Sequence, residues 1–145
     1  MTADEPNELL LDVMVFPDYG CIQIGDAASW TTVDPPGGGP MDGGFTTYTD
    51  YGLYVYTMST DEAVHRNQDV RVRVYRGTDD KDLGALIFDR DLMITSPPQL
   101  AVNQTLSDEP GEGGGLAPLS RAGSTRIRIY TKPPKDADEV NILVP

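Results

Sequence analysis

The chain has 145 residues, with 23 Asp and Glu against 11 Lys and Arg, a net charge of −12 and a sequence pI near 4.2. Phosphate repels charge of that sign, which argues against direct binding to DNA, RNA or an anionic membrane. One cysteine excludes an internal disulfide, and one histidine excludes a multi-histidine metal site.

The length suits one domain over residues 1–145. Residues 1–8 carry acid and a proline where a signal peptide needs a basic and then an apolar segment, so they read as a flexible N-terminal tail. No apolar run is long enough to span a bilayer. With Cys21 alone suiting a reducing compartment, the expected location is the cytoplasm.

Residues 9–16 form the first predicted strand, and Phe16-Pro17-Asp18-Tyr19-Gly20 reads as a hairpin turn into a second over 19–24. Cys21 lies among apolar, β-branched neighbours, as a buried structural thiol would. A long loop over 25–51 follows, with a triple glycine at 37–39 and four aromatics, Trp30, Phe45, Tyr48 and Tyr51. The third strand is 53–58. Residues 59–66 suit a helix of one or two turns, with Ser59 or Thr60 as N-cap and Glu62 in the first turn. Val70-Arg71-Val72-Arg73-Val74 alternates strictly, as does Arg126-Ile127-Arg128-Ile129-Tyr130; both predict half-buried strands with arginine on the outer face. Between them come a turn at 77–84, read as a longer hairpin, strands at 85–94 and 100–106, and a long loop at 107–124 with a second triple glycine at 113–115. A last strand spans 140–144. About eight short, mainly antiparallel strands with Gly- and Pro-rich loops predict an all-β class and a β-sandwich.

Catalytic readings find little support. Any nucleophile would need His65 as its base, and that residue sits in a predicted surface turn. No serine lies in a Gly-x-Ser-x-Gly elbow. Neither triple glycine precedes the Lys-Ser or Lys-Thr of a phosphate loop. The expectation is a non-enzymatic protein with no catalytic residues, no cofactor and no metal. An alternative is a C2-like sandwich that binds Ca²⁺ or a carbohydrate through Asp-rich loops, since Asp79, Asp80 and Asp82 crowd one turn with Asp89 and Asp91 nearby in sequence.

Recognition is the better-supported class. Acid gathers at 34–42, 79–82, 108–112 and 136–139, all predicted loops or strand ends, while Arg71, Arg73, Arg126 and Arg128 lie on strands. Acidic loops steer a basic protein partner into contact, and Tyr supplies binding anchors. The expected partner-binding residues are Asp79, Asp80, Asp82, Asp108, Glu109 and Glu112, with Tyr48 and Tyr51 as aromatic anchors.

The order of features resembles small acidic bacterial nuclease inhibitors of the competence-protein-J type. The resemblance runs from Leu11-Asp12-Val13-Met14-Val15-Phe16 through the loop Ser29-Trp30-Thr31 and the central strands at 70–74 and 85–94. It ends with 125–130, a Lys-Pro-Pro loop and the strand at 139–144. The glycine-rich stretches at 37–44 and 110–115 depart from that pattern. The resemblance implies an all-β immunity protein or inhibitor that blocks a basic toxin or nuclease by offering carboxylates where the enzyme expects phosphates.

Overall fold

Where Val and Arg alternate, one set can be buried only if the other is shown to water. Val70, Val72 and Val74 are fully buried, and Arg71 and Arg73 face outward; Ile127 and Ile129 are buried beside outward Arg126 and Arg128. The computed structural model describes residues 6–30, 44–105 and 107–145. Among them, β1 (Glu8–Val15) is followed by a 3-10 turn (Asp18–Gly20), β2 (Cys21–Asp26), β3 (Thr46–Tyr48) and β4 (Gly52–Tyr56). Then come α1 (Thr60–Arg66), β5 (Val70–Arg76), β6 (Ala85–Ile94), β7 (Gln99–Gln104), β8 (Gly115–Pro118), β9 (Gly123–Lys132) and β10 (Glu139–Val144).

The strands form two five-stranded sheets, ordered β1-β5-β10-β9-β6 and β3-β4-β2-β7-β8. β5 and β10 pair in parallel, and the other pairings are antiparallel. Between the sheets, Ile22, Ile24 and Leu53 of one meet Val72, Ile129 and Ile142 of the other in a single core. The all-β sandwich is the architecture observed, and all eight expected strands are present. β3 and β8 fall in segments read as loops. At three and four residues they are too short for a period to show. The short helix is also present: Ser59 accepts a hydrogen bond from the Glu62 N–H at 3.0 Å, and Asn67 closes the helix in a left-handed conformation. Among the described residues no helix is long and apolar enough to cross a membrane.

Both expected hairpin turns are something else. Residues 16–20 carry the chain from the first sheet to the second, because β1 and β2 lie in different sheets. Residues 77–84 run the length of a sheet. β5 ends where Arg76 pairs with Glu8 and Val144, but β6 begins where Ala85 pairs with Thr131, at the other end. The segment therefore crosses the outer face of the first sheet. Leu83 is buried there against Tyr75, Tyr130 and Leu143, and Asn141 donates a hydrogen bond to the Leu83 carbonyl at 2.9 Å. Gly and Asp suit a tight turn and a bent crossing equally well, so composition alone does not separate them. Within the expected tail, Glu8 already opens β1, and Asn7 is tied to Asp79 by hydrogen bonds of 2.6 and 3.1 Å; residues 1–5 lie outside the described residues.

Polar contacts close the sandwich. Asp26, fully buried at the end of β2, accepts hydrogen bonds from the Ser29 hydroxyl at 2.7 Å and from the N–H and hydroxyl of Thr95 at 3.1 and 2.5 Å. Thr95 directly follows β6, so the carboxylate ties the two sheets at one end. Cross-strand ion pairs line the outer face of the first sheet. Arg71 grips Asp12 with two hydrogen bonds, of 3.0 and 2.7 Å, and Arg126 grips Asp89 with two, of 2.8 and 2.7 Å. Arg73 bridges Asp12 and Glu139 at 3.6 and 3.5 Å.

Two outcomes follow. At Gly114 an added Cβ would collide with the Val102 carbonyl oxygen where β8 closes on β7, so Gly114→Ala should destabilise by about 1–3 kcal/mol in urea unfolding. The Arg71 and Arg126 hydrogen bonds hold the Asp12 and Asp89 carboxyls below the ordinary carboxylate range. A carboxyl depressed by folding contributes stability that is complete above its unfolded value, near about 3.9, and is lost as pH falls through the folded value. Both pairs are solvent-exposed, so the contribution is small. Urea midpoints taken from about pH 6 to about pH 2 should fall more for the wild type than for Asp12→Asn/Asp89→Asn, the gap closing at the acid end.

Candidate protein-binding surface

The sheets use up much of the positive charge. Arg66, Arg71, Arg73, Arg76, Arg126 and Lys132 all pair with carboxylates of Glu8, Asp12, Asp89, Asp138 or Glu139. The acid expected to meet a partner is not neutralised this way. Among the described residues Asp79, Asp80, Asp82, Asp108, Glu109 and Glu112 make no ion pair.

The structure does not bring those six together. Asp79, Asp80 and Asp82 ride the crossing segment over the outer face of the first sheet. Asp108, Glu109 and Glu112 sit in the β7–β8 loop, which folds back over the outer face of the second. Asn103, whose side chain points away from the core, fixes that loop. It donates to the Glu109 carbonyl and accepts from the Gly111 N–H, each at 2.7 Å. The Gln104 N–H reaches the Glu112 carbonyl at 3.1 Å. The two acidic groups thus lie on opposite sides of the sandwich, and a flat partner surface can cover only one of them. The acidic stretch at 34–42 and the triple glycine at 37–39 lie outside the described residues.

The aromatics divide likewise. Tyr48, half-buried in β3, meets Phe88 of β6 edge to face at 5.7 Å, and the Arg90 guanidinium lies 4.4 Å above its ring. It joins the edges of the two sheets, so its ring is committed to packing. Tyr51 is exposed at the β3–β4 turn. Trp30 is buried on the outer face of the second sheet with Ala27 and Ala101, and its indole N–H donates to the Ser107 carbonyl at 3.1 Å. It clasps the start of the acidic β7–β8 loop.

Cys21 is buried in β2, and burial, with the Asp18 charge, raises its thiol to about 11. A thiol protonated at neutral pH is a poor nucleophile. His65 is exposed on α1. Asp79 turns one carboxylate oxygen onto the Lys81 N–H at 2.9 Å. Among the described residues no three His, Cys, Asp or Glu side chains are grouped to hold a metal ion. Sequence reading missed Tyr19 as a surface group, placing it at the start of a strand. It stands exposed in the 3-10 turn with a left-handed backbone, φ 58°; a Tyr-Gly pair before a β-branched run gives no signal that distinguishes the two.

No family model and no curated protein sequence matches the chain. A solved structure does: ComJ from Bacillus subtilis, an inhibitor of the DNA-degrading activity of NucA. It aligns over 97% of this chain and 98% of its own, with a TM-score of 0.58 and 10% sequence identity. The likeness is one of backbone and not of side chains, and the chain has a ComJ-like fold.

Proposed function

We propose that this protein is a nuclease inhibitor that occupies the cationic cleft of its target with carboxylates. The observation that carries the reading is the fold, a two-sheet body that corresponds over nearly its whole length to that of a nuclease inhibitor. Electrostatics supports it. A nuclease cleft must attract phosphate, and a protein of net charge −12 with loop carboxylates lacking ion pairs competes for the same field. Of the two acidic groups, we assign contact to Asp108, Glu109 and Glu112. Their loop is held by Asn103 and Gln104, so little ordering is lost on binding, whereas Asp79 already turns a carboxylate oxygen onto the Lys81 N–H. On this reading the protein acts without a cofactor or chemistry of its own, in the cytoplasm of the cell that makes it.

The test uses NucA and each nuclease of the source organism as recombinant proteins, titrated with this chain while DNA degradation is followed. At least one nuclease should lose activity near a one-to-one ratio. Raising salt from about 50 mM to about 500 mM should weaken inhibition at least about tenfold. Asp108→Asn/Glu109→Gln/Glu112→Gln should weaken it further, and Asp79→Asn/Asp80→Asn/Asp82→Asn should not. No inhibition of any nuclease at molar excess overturns the reading.

A further inference from the structure

We infer that the end of the sandwich bearing α1 docks on the nuclease, with Tyr19 and Val64 as its apolar anchors; this rests on the inhibitor reading above. Tyr19 and Val64 are 76% and 65% exposed, the most exposed of the large hydrophobic side chains among the described residues. Val64 faces Met14, itself 47% exposed, across the flank of α1, and Tyr19 stands on the turn that Thr60 of α1 holds through the Pro17 carbonyl. Between the end of β1 and the flank of α1 runs an open groove of about 450 Å³, lined by Met14, Phe16, Ala63 and Val64 with Asn67 and Asp69 at its rim. Apolar side chains gathered this way within a polar rim mark contact surfaces.

Tyr19 adds a separate argument. A bulky residue at φ 58° and ψ 20° is in a region that L side chains rarely adopt. The strain yields no burial, because the ring points into water. The backbone that imposes it is firmly held. Gly20 N–H donates to the Pro17 carbonyl at 3.0 Å, Thr57 N–H to the Gly20 carbonyl at 2.9 Å, and the Thr60 hydroxyl to the Pro17 carbonyl at 2.6 Å. An aromatic ring displayed on a rigid turn loses little freedom when a partner covers it, and strained backbone of this kind concentrates at functional positions.

Charge selects the occupant. Around the apolar centre stand Asp18, Asp61, Glu62 and Asp69, none of them in an ion pair, while the nearby Arg66 is engaged with Asp138 at 2.8 Å. The rim continues into the β7–β8 loop, because the Thr105 hydroxyl donates to the Asp18 carbonyl at 3.1 Å. The acidic β7–β8 loop, which runs on over the outer face of the second sheet, therefore begins beside this end. A second copy would set acid against acid. A basic nuclease places cations opposite this rim and an apolar contact opposite Val64 and Tyr19.

The test takes a nuclease that the wild-type chain inhibits. Val64→Arg and Tyr19→Asn should each weaken inhibition about tenfold or more, whereas Leu86→Arg, at an exposed apolar side chain on β6, should leave it unchanged. Asn tolerates the left-handed conformation, so Tyr19→Asn should melt at or above the wild-type temperature while inhibiting less well, which separates lost contact from lost folding. Val64→Arg and Tyr19→Asn proteins that inhibit like the wild type overturn the docking face and leave the inhibitor reading standing. A wild-type chain that inhibits no nuclease overturns both. A wild-type dimer by light scattering that Val64→Arg dissociates, with inhibition unaltered, assigns the groove to a second copy and overturns the proposal.

Discussion

Everything in this fold depends on alternate residues of the central strands facing opposite environments. On β5 and β9, Val and Ile enter the core, and the arginines that alternate with them have nowhere to go but the outer face. Arg71, Arg73 and Arg126 meet carboxylates supplied by the neighbouring strands: Asp12 from β1, Glu139 from β10 and Asp89 from β6. The register that packs the core also lines up the ion pairs. A slip of one residue would bury arginine and expose valine.

That arrangement sets the electrostatics of the whole molecule. The chain holds 11 Lys and Arg, and most of the arginines are committed to carboxylates on the strands or at strand ends. The acid in the loops is left uncompensated. A moderate imbalance in composition thus becomes a strongly negative surface on the connecting segments, while the sheet beneath is close to neutral. Solvated acid of this kind contributes little to stability, and it is well placed to draw in a cationic protein from a distance.

The loops do not project freely. Residues 77–84 lie down on one outer face, held by Leu83 and Asn141, and the β7–β8 loop lies down on the other, held by Asn103 and Trp30. Each covers side chains that would otherwise leave an apolar or unsatisfied patch on a sheet exposed to water. Folding back gives the acidic groups fixed positions and also sends them to opposite sides. The end of the sandwich near α1 is different. There the apolar side chains of Met14, Tyr19 and Val64 remain uncovered, and one of the acidic loops begins beside them.

The sequence by itself determined the class of the fold, the eight longer strands, the capped helix and which face of each central strand is buried. All of these follow from local periodicity and capping chemistry, which act between residues a few positions apart. It also carried the feature order of a ComJ-like fold, and the buried setting of Cys21 follows from its apolar, β-branched neighbours. Only the tertiary structure decided which sheet each strand joins. The Pro-Asp-Tyr-Gly turn after β1 could have led back along the same sheet, and the Gly- and Asp-rich segment after β5 could have been a hairpin, because a turn's composition does not encode the end at which the next strand begins. For the same reason the structure alone decided that Asp79 and Asp108 stand on opposite faces, that Tyr48 is spent on joining two sheet edges, and that Tyr19 is held out in water. Those positions depend on contacts between residues far apart in the chain, such as Asn141 with Leu83 and Trp30 with Ser107, and no pattern read along the chain contains them.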